Sequence, residues 1–147
     1  MRAVVTRVST ASVKIENETV GKIDKGFLVL LGIKDTDTKE DAEKLAAKIC
    51  TLRIFSDEAG KMNLDLETVK GSLLVISQFT LYADLKSRRP GFTSAAKPDT
   101  AIPLYEMFIE NCRNRGFAAE TGQFGAMMDV CSVNEGPVTI LYDTETM

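Results

Sequence analysis

The chain has 147 residues, 44% of them hydrophobic and 27% charged, with a net charge of -3. That length fits one domain, which can bury roughly 68–70% of its unfolded surface without metal or disulfide staples, and the composition excludes a disordered or fibrous chain. There is no histidine, which excludes Ser-His-Asp and Cys-His mechanisms and imidazole metal sites; the negative charge excludes indiscriminate phosphate binding unless a basic patch is gathered locally.

Ala3 to Val8 and Ala11 to Ile15 read as strand material, and Glu16-Asn17-Glu18 separates the latter from Thr19 to Ile23 in a hairpin-like arrangement. Phe27 to Leu31 is an apolar run between Gly26 and Gly32, short enough to be a strand buried on both faces. Thr38 stands three residues before Asp41, a capping-box spacing with Asp in place of the usual Glu, and Ala42, Leu45, Ala46, Ile49 and Leu52 follow at helical intervals. Cys50 lies beside that stripe as a packed thiol. Arg53 to Phe55 reads as a strand entering the turn Ser56 to Gly60, and Ser72 to Tyr82 as one long strand.

Ala83 to Pro98 has no sustained periodicity and reads as a loop. Pro98-Asp99-Thr100 opens a second amphipathic helix through Ala101, Leu104, Tyr105, Phe108 and Cys112, which Gly116 can end; Pro103 is tolerable in its first turn. Phe117 to Glu120, Met127 to Val133 and Val138 to Tyr142 read as further strands. The sum is a single α+β domain spanning residues 1–147, with a mainly antiparallel sheet or barrel-like core and two main helices. The longest apolar runs fall far short of the ~20 residues of a membrane helix. The start, Met1-Arg2-Ala3-Val4-Val5, lacks the apolar core of a signal peptide, so a soluble, intracellular protein without a membrane partner is expected. Cys50, Cys112 and Cys131 form no CxxC pair and read as buried or semi-buried free thiols.

Three segments carry polar chemistry. In Ser77-Gln78-Phe79-Thr80 an apolar strand suddenly presents hydroxyls and an amide, each of which costs roughly 1–3 kcal/mol if buried without a partner. Strand alternation places Gln78 and Thr80 on one face and Ser77 and Phe79 on the other; the bland reading is a strand whose hydroxyls satisfy neighbouring backbone. Gly136-Pro137 lies between two strand-like stretches and reads as a connecting turn or, more sharply, as a cis bond, which only about 5–6% of X-Pro bonds adopt. Lys86, Arg88 and Arg89 form a tight basic cluster, either a solvated loop or a set of phosphate contacts. No GxxxxGK[ST], GxGxxG or HExxH motif calls for a cofactor or metal.

Ser77-Gln78-Phe79-Thr80-Leu81-Tyr82-Ala83-Asp84 closely resembles the signature segment of D-aminoacyl-tRNA deacylases. Met1 to Val5, Leu52 to Phe55 with Gly60 to Asn63, Arg89 to Thr93, Glu120 to Gly122 with Phe124 to Met128, and Asn134 to Thr139 are similar to that family in the same order. Gly91 departs from the more polar residue expected in many relatives.

The resemblance implies an intertwined-sheet homodimer with active sites at the subunit interface and D-aminoacyl-tRNA as substrate; from the residues themselves a cytoplasmic location and no metal or cofactor are expected. Ser77, Gln78, Phe79 and Thr80 would line the site of one subunit. Gly136 and Pro137 of the other would enter it as a cis chirality filter, rejecting L substrates while tolerating many D side chains and glycine. Lys86, Arg88 and Arg89 would contact tRNA. Thr80 would act as nucleophile or water-positioning hydroxyl; alternatively the terminal ribose hydroxyl activates water while amides near Phe79 and Thr80 hold the oxyanion. Competing readings are a nucleic-acid-binding module without activity and a small-metabolite hydrolase using Thr80.

Overall fold

The computed structural model describes residues 1–147. The elements run β1 (Arg2–Ile15), β2 (Glu18–Ile23), β3 (Gly26–Gly32), α1 (Lys39–Cys50), β4 (Phe55–Ser56), β5 (Met62–Leu64) and β6 (Ser72–Ser77), then a short 3-10 helix (Phe79–Tyr82), α2 (Pro98–Asn114), β7 (Ala119–Thr121) and β8 (Asp129–Asp143). β4 and β5 form a separate small hairpin; the other strands make one sheet.

β1 is one continuous strand rather than two, and it organises that sheet. β8 runs antiparallel along it from Arg2 to Lys14, while β3 (at Arg2 to Val8) and β2 (at Ala11 to Ile15) divide its other edge, both antiparallel. β3 then pairs with β6, and β6 with β7, in parallel. The two ends of the sheet approach each other: a Cβ at Gly21 of β2 would stand 2.6 Å from the Thr121 carbonyl of β7, so the sheet curls into a nearly closed, barrel-like shape. The β1–β2 turn is Glu16-Asn17, both at positive φ, as a two-residue hairpin matched to strand twist requires.

The two-faced burial expected of Phe27 to Leu31 is present. Phe27, Val29 and Leu31 of β3, with Leu73 and Val75 of β6, face a core completed by α1 and α2. Leu28, Leu74 and Ile76 face a second cluster with Val8, Ala11, Val13 and Ile23. Full burial of such a side chain is worth about 1.5–3 kcal/mol, so this double layer fixes the position of β6 and of whatever follows it.

The Thr38 capping box forms as expected: Asp41 N donates to Thr38 Oγ1 at 3.3 Å and Thr38 N to Asp41 Oδ2 at 2.8 Å. The helix ends at Cys50, leaving Leu52 beyond it but still packed on the core. α2 begins at Pro98 and is followed by Gly116 at φ +96°. Cys50 and Cys112 are buried as expected, whereas Cys131, expected buried or semi-buried, is exposed on β8.

Other strand expectations need correction. The strand expected over Arg53 to Phe55 is the two-residue β4, with Arg53 and Ile54 outside it. Ser72 to Tyr82 is not one strand: β6 stops at Ser77, Gln78 N still donates to Leu31 O at 2.8 Å, and the chain then coils into the 3-10 helix. The reason lies in β3, which ends at Gly32; a Cβ there would stand 2.9 Å from Leu81 Cβ and 3.1 Å from Gln78 O. The helix folds across the strand end through that gap. Gly136-Pro137 likewise is not a turn between two strands but lies within β8, where the β1 register slips between Thr6 and Val8. A proline has no N–H for a ladder, and the slip takes the dipeptide out of the pairing.

Candidate active site

The 3-10 helix changes which side chains meet. Strand alternation no longer applies beyond Ser77, yet Gln78 and Thr80 are still brought together, by a Gln78 Nε2 to Thr80 Oγ1 hydrogen bond of 2.5 Å. Phe79 projects outward, 53% exposed, and its ring meets Phe92 edge-on at 5.0 Å. Phe79 and Thr80 occupy the first turn of the helix, and neither of their amides donates to a protein acceptor. Both N–H groups are thus left without a partner in the protein.

Ser77, Gln78 and Phe79 line a cleft of about 310 Å3, faced by the segment Phe124 to Met128 and floored by Ile76. Thr80 does not line it directly and reaches it only through Gln78. Met127 is 92% exposed at the rim. None of the lining residues carries an ionisable side chain. The cleft therefore offers hydrogen-bond donors, a hydroxyl and apolar walls, and no side-chain general base. No group of three or more carboxylates or thiols is gathered where it could hold a metal.

The cis Gly136-Pro137 bond is present. Both residues are exposed, and neither lines the cleft of its own chain. Behind them lies a residue that the sequence reading missed. Arg7 of β1 has only 9% of its side chain exposed; its Nε donates to Glu135 O at 3.0 Å and its Nη1 to Ile54 O at 2.6 Å. Its signal was available, since Ala3, Val5 and Arg7 alternate along one face of a strand whose other members are core residues.

Lys86, Arg88 and Arg89 are exposed on a loop closed by a two-bond bridge, Asp84 N to Gly91 O at 2.7 Å and Gly91 N to Asp84 O at 2.9 Å. That bridge sets the loop beside the cleft, because Phe92 follows it and packs on Phe79. Tyr82, at the end of the 3-10 helix, is buried with Arg2 stacked 4.6 Å over its ring. Burial, and after it the field of Asp37, pushes its phenol well above the usual range.

Residues 4–143 match the family model described as D-Tyr-tRNA(Tyr) deacylase. A D-aminoacyl-tRNA deacylase from Shewanella baltica is 59% identical over 140 residues, covering 95% of this chain and 97% of the relative. One from Thermosipho africanus is 55% identical over 146 residues, covering 99% and 98%. Among solved structures, one titled c-Myc DNA unwinding element binding protein superposes with a TM-score of 0.92 at 40% identity, covering 97% of this chain and 98% of that one. Another, titled as a probable eukaryotic D-amino acid tRNA deacylase, superposes with a TM-score of 0.82 at 17% identity over 96% and 97%, a likeness of fold. Fold and relatives together define a deacylase, a hydrolase that removes an acyl group, and not a binding module without activity. The chain belongs to the D-Tyr-tRNA(Tyr) deacylase family.

Proposed function

We propose that this protein hydrolyses the ester of D-aminoacyl-tRNA in the cytoplasm, as translation quality control, releasing the D-amino acid and reusable tRNA. The observation that carries the reading is the cleft of Ser77 to Phe79 against Phe124 to Met128, which supplies donors and no ionisable group. Ester hydrolysis through such a cleft requires the substrate to contribute its own activating group. The ribose hydroxyl beside the ester does so, helping to activate water while the free amide of Phe79, at the cleft, with that of Thr80 next to it, favours the developing oxyanion. Thr80 supports this arrangement by fixing the Gln78 amide.

The functional unit in this reading is a homodimer. β8 leaves its outer edge unpaired over 15 residues and exposes Val130, Val133 and Leu141, the last at 75%, which is the kind of edge that pairs with a second chain. Gly136 and Pro137 of that second chain enter the cleft and occupy the space an L side chain would need, so selection is steric and tolerates varied D side chains and glycine. Lys86, Arg88 and Arg89 hold the tRNA backbone beside the cleft. The test is incubation with D-tyrosyl-tRNA, L-tyrosyl-tRNA and glycyl-tRNA. Release from the first and third with the second spared is expected, and equal treatment of D and L, or no release, overturns the reading.

A further inference from the structure

Of the four residues of the 3-10 helix, only Phe79 lines the cleft. It is more than half exposed, so a wall built from its ring needs support from outside the core. Phe92 supplies that support. The two rings meet edge-on, with an interplanar angle of 74° and centroids 5.0 Å apart, while Phe92 itself stays out of the cleft. In such a pair the positive edge of one ring faces the negative face of the other, so an aliphatic side chain at either position cannot reproduce it.

Phe92 is held by a closed frame of backbone hydrogen bonds that starts and finishes at the end of β3. Leu31 O accepts from Gln78 N at 2.8 Å, immediately before the 3-10 helix, and Ile33 O accepts from Ala96 N at 2.9 Å, beyond Phe92. A turn closed by Ala95 N donating to Phe92 O at 3.2 Å separates Phe92 from that second anchor. On its other side, the Asp84–Gly91 bridge pinches off the exposed tip that carries Lys86, Arg88 and Arg89. Phe79 and Phe92 are thus each referred to the same strand end, and the position of one ring against the other does not depend on the tip beyond the bridge.

We infer that Phe92 is a positioning residue of the deacylase reaction: its ring holds that of Phe79 in place as a wall of the cleft. The inference rests on the deacylase reading above and deepens it. A displaced wall lets the bound ester occupy more unproductive positions, which slows the reaction of the bound complex. Contacts to the tRNA body, which that reading assigns to the loop tip, are left unaltered. The effect therefore falls on kcat and spares KM. Loss of the edge-on contact is worth about three- to ten-fold in rate.

The experiment measures kcat and KM on D-tyrosyl-tRNA for Phe92→Leu and Phe92→Tyr, with denaturant midpoints alongside. Phe92→Leu should lower kcat about three- to ten-fold at unchanged KM, and Phe92→Tyr, which keeps the ring, should restore it. In a cycle with Phe79→Leu, the double variant should be little slower than Phe79→Leu alone, because the pair acts as one unit. A wild-type kcat in Phe92→Leu, an equal loss in Phe92→Tyr, or losses that multiply in the double variant overturns the inference. Should Phe92→Leu fail to fold, Phe92→Met removes the ring with a more adaptable side chain, and the same outcomes decide. Hydrolysis that is indifferent to Phe92 leaves the deacylase reading standing and removes only this inference, whereas no hydrolysis by the wild-type protein removes both.

Discussion

The Arg7 guanidinium lies directly beneath Gly136: a Cβ built on that glycine would stand 2.6 Å from Arg7 Nη2. Gly136 also has φ +124°, a backbone state that side chains rarely adopt. The pair behaves as one unit, with the cation fixing the Glu135 carbonyl on one side and the Ile54 carbonyl on the other. Arg7→Leu should destabilise the protein by about 2–4 kcal/mol, since it leaves two carbonyls without their charged donor. Gly136→Ala should disturb the same unit and reduce D-over-L discrimination while the protein remains folded. Denaturant midpoints and hydrolysis of paired D and L substrates check both; a Gly136→Ala enzyme with wild-type discrimination would remove this segment from the filter.

Thr80 is exposed and makes one side-chain hydrogen bond, so Thr80→Ala should leave the fold intact and lower hydrolysis about five-fold, the worth of one such bond. Replacing the terminal ribose hydroxyl adjacent to the ester by hydrogen should cost about 100-fold or more, the scale of a lost acid–base contribution. Single-turnover rates distinguish the two. Collapse to background in Thr80→Ala, with the deoxy substrate still cleaved, would make Thr80 the nucleophile instead.

Arg88 and Arg89 extend from the bridged loop into solvent. Their joint replacement by Ala should weaken tRNA binding to a similar degree across tRNA sequences and flatten its dependence on salt by about one to two in the log–log slope. Titrations at several ionic strengths measure this directly. Binding that is unchanged at every salt concentration would identify the loop as a solvated face.

Tyr105 joins α2 to β6 through its bond to Val75 O, and burial pushes its phenol from the ordinary 10 up to about 12. A phenol kept neutral by the fold stabilises it fully below pH 10, and that contribution is lost as pH rises through about 12. Tyr105→Phe should therefore cost about 1 kcal/mol at neutral pH and make the alkaline loss of stability shallower. Equilibrium unfolding at pH 7, 9 and 10.5 checks the sign. A variant whose alkaline decline matches wild type would mean that other buried phenols account for it.

Helices were legible because their signals are local. Thr38 and Asp41 carry the cap of α1, and the apolar positions from Ala101 to Cys112 give the stripe of α2. β3 was legible for the same reason, being short, apolar and bounded by glycines. The end of β6 was not, because it is decided elsewhere: the missing side chain at Gly32 admits the turn, forty-odd residues earlier in the chain. Pairing was equally hidden, since β8 looks like two strands until β1 is seen to slip register against it. The candidate site was readable residue by residue at Ser77 to Thr80, but its opposite wall, Phe124 to Met128, has only small and apolar side chains and announces nothing by type. Arg7 stood in plain view and needed only the question of what a cation was doing at an inward position.

The pairing of β1 with β8 sets when the chain can finish folding. Arg2 bonds Asp143 across a separation of 141 residues, and the two strands stay paired for most of their length. While the chain is being made, β1 can acquire β2 and β3 early, but its second edge has to wait until β8 emerges. High-contact-order closure of this kind is slow, and it leaves an open apolar edge in every shorter form of the chain. Molecules that lack β8 leave that edge of β1 open, and sealing it is the last step in folding the single chain.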